Sequence, residues 1–407
     1  MLSQFMVKNY KSIRDEMILD LQPVAISEHR NHILTDSDSE KFLPLAAIYG
    51  PNGGGKSNIL KALRVLVAKV MNPIFLSKED YQDIEFRING LRATPFAFSE
   101  ETKREPVEFT VFFKTNIAEY RYVLHMLNER VVFEKLDFVK TETGRKAELF
   151  LRDNNNTVLK NELGKLKISE GLSEIMPLLS YLGLTYSGNR IISDVINWFA
   201  KKIKVIDYGN PYQEARILIA RTEESKKLFL KMLREMDMDI EDFRIEEVGK
   251  SQIEIFTKHP GYDNELTLRE ESEGTKKVFG LLPYIAESLL TGMTLVIDEL
   301  DAKLHPLLLR YIINLFSDKE VNKHNAQLIF TSHDLSTMNN EVFRRDEIWF
   351  VAKGREQNSQ LYSLVEFKNS EGGAVRKDAR FDKQYLEGKY GADPYLMRII
   401  DWSNPNA

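Results

Sequence analysis

Gly50-Pro51-Asn52-Gly53-Gly54-Gly55-Lys56-Ser57 is the stretch that decides how this chain is read. It fits the pattern G-x-x-x-x-G-K-[ST], and it stands between an apolar run (residues 43–49) and a helical pattern. Glycines here let the backbone curl until its N–H groups converge on one phosphate chain. Lys56 brings positive charge for the β and γ phosphates, and Ser57 offers a hydroxyl to Mg²⁺. The helix that follows aims its positive dipole end at the same anion. The competing reading is a Gly-rich surface turn. The strand before the loop and the helix after it weigh against that.

Working outward, residues 43–49 are expected as a buried strand. A helix should start near Lys56, with Ile59, Leu60, Leu63, Val67 and Val70 on one face, and close at Pro73. Upstream, the alternation from Phe5 predicts a strand ending at Asn9, and residues 17–21 a second one. Downstream, alternation at Val107, Phe109 and Val111 and through residues 120–124, 131–139 and 147–151 predicts a β meander. The loop Asp153-Asn154-Asn155-Asn156 should end it. Residues 161–238 read as helical, with Thr222 as an N-cap and Leu228, Phe229, Met232 and Leu233 as a buried face. After about residue 266 strand and helix alternate again, so the middle reads as an insertion. No heptad run is long enough for a coiled-coil arm.

Composition bounds the function classes. The chain has 407 residues, 43% hydrophobic and 29% charged, as expected of a globular protein of two or three domains. A net charge of −5 gives no global basic field. Bulk charge therefore does not support nucleic-acid binding, although Lys201-Lys202-Ile203-Lys204 and Lys226-Lys227 leave local patches open. There are no cysteines, which excludes disulfides and thiolate metal sites and fits a cytoplasmic location. Residues 1–8 show no basic segment followed by an apolar stretch, so no signal peptide is expected. The most apolar stretch, residues 278–297, contains Pro283, Glu287 and Gly292. It reads as helix, turn and strand, not as a membrane span.

Three further segments suit a nucleotide site. Thr294-Leu295-Val296-Ile297-Asp298-Glu299 is an apolar strand ending in two acids; Asp298 would hold Mg²⁺ and Glu299 would polarise an attacking water. Gln327-Leu328-Ile329-Phe330-Thr331-Ser332-His333 ends in a histidine that would reach the γ-phosphate. Glu271-Ser272-Glu273-Gly274-Thr275 precedes a helix with Val278, Phe279, Leu282 and Ile285 on its apolar face, a good start for anion binding. Each has a plain alternative: a buried strand with an acidic turn, a structural histidine, a simple N-cap.

The order of these four segments resembles that of the ATP-binding-cassette ATPases, in the soluble branch that includes the SMC, RecF and OLD-type proteins. Phe5-x-x-x-Asn9-Tyr10-Lys11-Ser12 resembles the opening strand of that branch, and Leu304-His305-Pro306 resembles its OLD and RecF-like members. The closing stretch Tyr385-Leu386-Glu387-Gly388-Lys389-Tyr390-Gly391-Ala392-Asp393-Pro394 is similar to that of AAA family ATPases from abortive-infection loci, of the RloA and AbiLi kind. The resemblance covers residues 1–115 and 265–407.

It implies an α/β fold: an ABC-ATPase-like P-loop head with a mixed sheet and a β meander lobe, plus a mainly helical insertion. The head would comprise residues 1–115 and 265–407, and the insertion 116–264 (meander 116–153, helical part 154–264). The ligands implied are ATP and Mg²⁺. Asn52, Gly53, Gly54, Gly55, Lys56, Ser57 and Asn58 would bind phosphate, with Lys11 approaching from the first strand. Ser57 and Asp298 would hold Mg²⁺, Glu299 would be the general base, and His333 the switch histidine. Ser272 and Gly274 would form the signature that touches the γ-phosphate of ATP held by a second protomer.

Some positions depart from the family pattern. Glu273 stands where the signature has its first glycine, with Glu270 and Glu271 beside it, and negative charge there opposes a γ-phosphate. His305 stands at the usual D-loop aspartate. No Q-loop glutamine is evident; Pro95-Phe96-Ala97-Phe98 is the segment to inspect.

The functional expectation is an ATPase that dimerises, or forms a higher homo-oligomer, around ATP. It would act as sensor or regulator of a separate effector, a nuclease or toxin, in anti-phage defence, with no membrane part. No acidic cluster of the Toprim nuclease kind follows His333, which is why the effector is expected to be a separate protein. The alternatives are a RecF- or SMC-like DNA-repair or chromosome-maintenance ATPase, a transporter motor and a non-hydrolysing sensor. The long separation of Lys56 from Ser272 argues against the motor, and the pair Asp298 and Glu299 argues for turnover.

Overall fold

A computed structural model describes residues 1–77, 91–168, 172–206, 223–236, 238–248, 252–354, 356–368 and 373–392. Its strands, in chain order, begin with Leu2–Lys8 (β1), Met17–Asp20 (β2), Leu34–Thr35 (β3), Lys41–Phe42 (β4) and Leu45–Tyr49 (β5). Then come Val107–Lys114 (β6), Ala118–Leu127 (β7), Arg130–Lys140 (β8), Lys146–Asp153 (β9), Asn156–Leu159 (β10) and Ile203–Ile206 (β11). The rest are Asp242–Val248 (β12), Gln252–Lys258 (β13), Glu265–Thr267 (β14), Thr294–Ile297 (β15), Gln327–Thr331 (β16), Ile348–Lys353 (β17) and Ser359–Ser363 (β18). The helices are Lys56–Leu76 (α1), Leu178–Thr185 (α2), Arg190–Lys201 (α3), Glu223–Glu235 (α4), Glu273–Thr291 (α5), Pro306–Ser317 (α6) and Phe381–Leu386 (α7).

The central sheet has the order β11-β15-β16-β5-β17-β18. Its first five strands run parallel, and β18 returns antiparallel along the edge. These strands are apolar at nearly every position because both faces are covered. In β5, Ala46 and Ile48 enter one core while Leu45, Ala47 and Tyr49 enter the other. The same alternation divides Val296 from Leu295 and Ile297, and Ile329 from Leu328 and Phe330.

Register matters more for the site. Ile297 pairs with Phe330, and Thr331 pairs with Ile48. The chain therefore leaves β5, β15 and β16 at one edge of the sheet. That is where ligands sit in open parallel sheets.

One core lies between this sheet and a seven-stranded antiparallel sheet of order β10-β9-β8-β7-β6-β1-β2. Ile59, Leu63, Leu66 and Val70 of α1 fill it with Phe5 and Val7 of β1 and Phe109 and Val111 of β6. The second core, on the other face, is closed by α5 and α6. A three-stranded sheet, β12-β13-β14, lies beside the start of α5.

Three expectations need correction. Helix α1 does not close at Pro73 but runs to Leu76. A proline so near the end removes one helical N–H bond and leaves little further helix to disrupt. The asparagine run does not end the meander. Asn154 takes a φ of 49°, and Asn156 pairs back on Asp153 to start β10. Residues 161–238 are not helical throughout, because Ile203–Ile206 joins the central sheet beside β15. Its four residues sit among lysines and carry too short an apolar pattern to read as a strand. The region expected as an insertion thus supplies strands to three of the four sheets, and β12 and β13 follow its last helix. The expected N-cap Thr222 and the closing Asp393-Pro394 lie outside the described residues. Among the described residues, no helix is long and apolar enough to cross a membrane.

Candidate nucleotide-binding site

The glycine loop between β5 and α1 takes backbone angles that only glycine adopts readily. Gly50, Gly53 and Gly55 have φ of 151°, 73° and 109°. A Cβ on Gly50 would lie 2.3 Å from Val351 O, and one on Gly55 would lie 2.1 Å from Ser359 Oγ. Gly54 N–H donates to Pro51 O at 3.1 Å, which closes the turn. Asn52 and Gly53 are exposed at its tip. Helix α1 then begins with Gly55 as N-cap, which has no side chain to cap it, and no acidic residue lies in its first turn. The first N–H groups of a helix have no intrahelical acceptor, so this end is left for an anion.

The Lys56 side chain is buried and folds back on the loop, donating to Gly50 O at 2.8 Å and Pro51 O at 3.2 Å. Burial lowers its pKa to about 8, against the upward pull of Asp298, Glu299 and Asp301. A phosphate would give this buried ammonium an anionic partner in place of the two neutral carbonyls.

The loop is braced from behind. Ser359 Oγ lies 2.6 Å from Gly54 O and 2.7 Å from Ser12 Oγ. A carbonyl only accepts, so the Ser359 proton goes to Gly54 and Ser12 donates to Ser359. Asn58 Nδ2 donates to Ser12 Oγ at 2.8 Å. Ser12, the residue after Lys11, thus takes part in bracing the loop. Lys11 has a φ of 52° and places its Nζ 5.5 Å from the Tyr10 ring centroid. Asn9 fixes this corner: its Nδ2 donates to Thr102 O at 2.7 Å, and its Oδ1 accepts from Phe96 N at 2.9 Å. The Pro95–Phe98 stretch therefore lies beside the end of β1, although it carries no glutamine.

At the ends of β15 and β16, a chain of hydrogen bonds joins the motifs. Ser57 Oγ donates to Asp298 Oδ1 at 3.0 Å, and Thr331 Oγ1 donates to the same oxygen at 2.7 Å. Thr331 Oγ1 also accepts from Glu299 N at 2.7 Å. Glu299 has a φ of 53°, an unfavourable region for a residue with a side chain. His333 N donates to Asp301 Oδ2 at 3.0 Å, while Asp301 Oδ1 is buried without a hydrogen-bond partner. Burial and the Lys56 charge hold the His333 imidazole below its usual pKa, so at neutral pH it is uncharged and can accept a proton.

These residues fit a triphosphate with Mg²⁺. Among the described residues, no three His, Cys, Asp or Glu form a metal cage. A Mg²⁺ shared with phosphate oxygens needs only one or two protein oxygens, and Ser57 and Asp298 are such a pair. The orphaned Asp301 carboxylate oxygen also suits a site completed by a ligand.

Ser272 and Gly274 lie elsewhere. Ser272 is exposed as the N-cap of α5, accepting from Thr275 N at 3.1 Å. No hydrogen bond among the described residues links Ser272 or Gly274 to residues 50–58. The acids around Ser272 are each engaged locally. Glu271 accepts from Thr257 Oγ1 at 2.6 Å and lies 2.8 Å from His259 Nε2. Glu270 accepts from Thr267 N at 2.8 Å. Glu273 pairs with Lys303 at 2.8 Å and Lys276 at 3.0 Å, which together hold its carboxyl below the usual range. The charge of Glu273 is thus balanced by two lysines, whereas Glu270 is held by hydrogen bonds from a neutral threonine. His305 serves as the N-cap of α6, with Nδ1 accepting from Leu307 N at 3.2 Å.

The sequence reading missed Ser359, the side-chain role of Thr331, Asp301 and Lys277. Only Thr331 and Asp301 carried a local signal, as polar residues at the ends of the two strands.

No curated protein matches the chain. The SMC head domain from Thermotoga maritima is similar in structure, at 19% identity and a TM-score of 0.44, covering 89% of this chain and 98% of that one. So is an SMC head bound to the C-winged helix domain of ScpA, at 16% identity and a TM-score of 0.47, covering 89% and 97%. In sequence, residues 45–339 match the family described as "AAA domain, putative AbiEii toxin, Type IV TA system". That span runs from the first residue of β5 past His333, so it takes in the glycine loop, the α5 cap, the acidic strand and the histidine strand. The match covers well over half of the chain, which therefore belongs to that AAA family.

Proposed function

We propose that this protein binds and hydrolyses ATP, and that two copies close head-to-tail around the nucleotide. One observation carries the reading: Ser57, Asp298, Thr331 and Glu299 form a single hydrogen-bonded chain beside the glycine loop. In this arrangement Lys56 and the α1 N-terminus bind phosphate, and Ser57 and Asp298 hold Mg²⁺. The bound metal would neutralise phosphate charge. Glu299 orients and deprotonates a water. Neutral His333 is suited to accept a hydrogen bond from that water or to contact the γ-phosphate through its N–H.

Ser272 is exposed and Gly274 half-buried, and among the described residues neither hydrogen-bonds to the loop of its own chain, which suits a cap for a nucleotide held by another copy. ATP would join the two and hydrolysis would release them, so nucleotide state sets how the copies sit. An anti-phage role is the reading supported by the name of the matching family and by the closing stretch of sequence, and a separate effector, a nuclease or toxin, is proposed with it. The DNA-repair alternative gains little from the lysine clusters. Lys202 donates to Thr291 O, Lys204 lies over the Tyr284 ring, and Lys226 pairs with Asp242.

The test is Glu299→Gln. Phosphate release should fall by about 100- to 10,000-fold while ATP remains bound. The variant should associate in the presence of ATP at micromolar concentration. A Glu299→Gln protein that stays monomeric with ATP would refute the head-to-tail arrangement.

A further inference from the structure

Lys277 lies one turn into α5, five residues after Ser272, with its side chain buried. Its Nζ donates to Glu299 O at 2.8 Å. That carbonyl also accepts from Ala302 N at 3.2 Å, while the Glu299 N–H is held by Thr331 Oγ1 at 2.7 Å. Glu299 is therefore fixed from both sides of its backbone at the residue whose φ is 53°. Such a conformation persists only where its surroundings over-determine it. An ammonium donating to a carbonyl is a charge-assisted bond, stronger than the neutral ones around it.

The contact also joins the two halves of the proposed site. From Ser272 the connection runs along α5 to Lys277, then to Glu299, Thr331, Asp298 and Ser57. Lys303 adds a shorter tie: its side chain pairs with Glu273, and its carbonyl lies 3.4 Å from where a Cβ on Gly274 would stand.

We propose that Lys277 is a positioning residue for hydrolysis: from the cap helix, it holds the Glu299 backbone so that the carboxylate is aimed when the cap is engaged. This rests on the ATPase reading above and adds to it a link within one chain. A protomer whose Ser272 end is docked on a partner's nucleotide would thereby steady its own Glu299.

The experiment compares Lys277→Met, Lys277→Arg and Lys276→Met with the wild type. Lys276 is the adjacent lysine, paired with Glu273 and not with Glu299. A misplaced reacting group can cost on the order of 100-fold in rate, so Lys277→Met should lower kcat by about that factor. Its KM and its ATP-driven association should stay within about twofold, the pattern of an interaction that serves the transition state alone. Lys277→Arg, which keeps a cationic donor, should recover much of the loss, and Lys276→Met should leave the exchange of the Leu300 and Ala302 amides unchanged.

Hydrogen exchange supplies a readout that needs no turnover. In Lys277→Met the amides of Leu300 and Ala302 should exchange about tenfold faster, with that of Asn58 unaltered. If exchange at these amides is unchanged, the proposal is wrong whatever the activity. It is equally wrong if kcat and KM deteriorate together with loss of association, or if Arg is no better than Met in a folded protein. A wild type that binds ATP without hydrolysing it would defeat the ATPase reading instead, leaving the exchange result to judge Lys277.

Discussion

The two ends of the proposed nucleotide site are built on opposite plans. The phosphate-loop end is strained and braced behind an exposed tip: Lys56 and Asp298 are enclosed, and Gly55 has no room for a Cβ. The cap end is exposed and relaxed. Ser272 is a simple N-cap, Gly274 has an ordinary van der Waals neighbour 3.4 Å from its Cβ position, and the charges nearby are paired at the surface. The difference teaches where preorganisation is needed. An end that must grip a phosphate chain unaided is rigid before binding. An end that meets a nucleotide already held by another copy can be an open surface.

The sharpest way to break this comparison is to place each lesion in a different copy. Lys56→Ala and Ser272→Ala should each lower turnover, by about 100-fold or more for a lost electrostatic contact at the reacting phosphate. Mixed one to one, they should recover up to about a quarter of wild-type activity, because in a symmetric pair a quarter of the sites combine both intact halves. Steady-state phosphate release of the mixture measures it. No recovery would mean that both ends serve a single chain.

A second test separates strain from openness. Gly55→Ala must move Ser359 and Ser12 and adopt a φ of 109°. Strain of about 1–3 kcal/mol would reduce nucleotide affinity by roughly 5- to 150-fold, read by titration with a fluorescent ATP analogue. Gly274→Ala should leave that affinity and the melting temperature unchanged, and should alter only association in ATP. If both variants lose affinity alike, the two ends are not built differently.

The same contrast explains what could be read from the sequence. The glycine loop, Asp298, Glu299 and His333 were legible because each ends a short apolar run, and parallel strands bring such ends to one edge. The bracing of the loop was not. Ser359 meets Gly54 across 305 residues, and Lys277 meets Glu299 across a helix and a strand. Neither has a local pattern, since each is set by how elements pack. The strand Ile203–Ile206 was missed for a related reason: four residues among lysines acquire a strand's role only beside β15. The acids around Ser272 were visible, but their partners were not. Thr257 and His259 lie on or just after β13, and Lys303 on the loop after β15.

Those acids give the smallest and most discriminating test. Glu273 stands where the signature pattern has a glycine, and its charge is balanced by Lys276 and Lys303 at the protein surface. Replacing it by glutamine keeps the shape, removes the negative charge and leaves two lysines facing outward. Glu273→Gln should therefore strengthen ATP-driven association a few-fold at low salt, because exposed charges act over about 10 Å at 0.1 M ionic strength. Raising the salt should erase the gain, whereas the grip of the buried Lys56 should change much less. Sedimentation with ATP across a salt series reads both trends. A gain that persists at high salt would mean that Glu273 acts through the shape of the cap. A loss in place of a gain would mean that the paired acid orients the lysines on which the partner's phosphate depends.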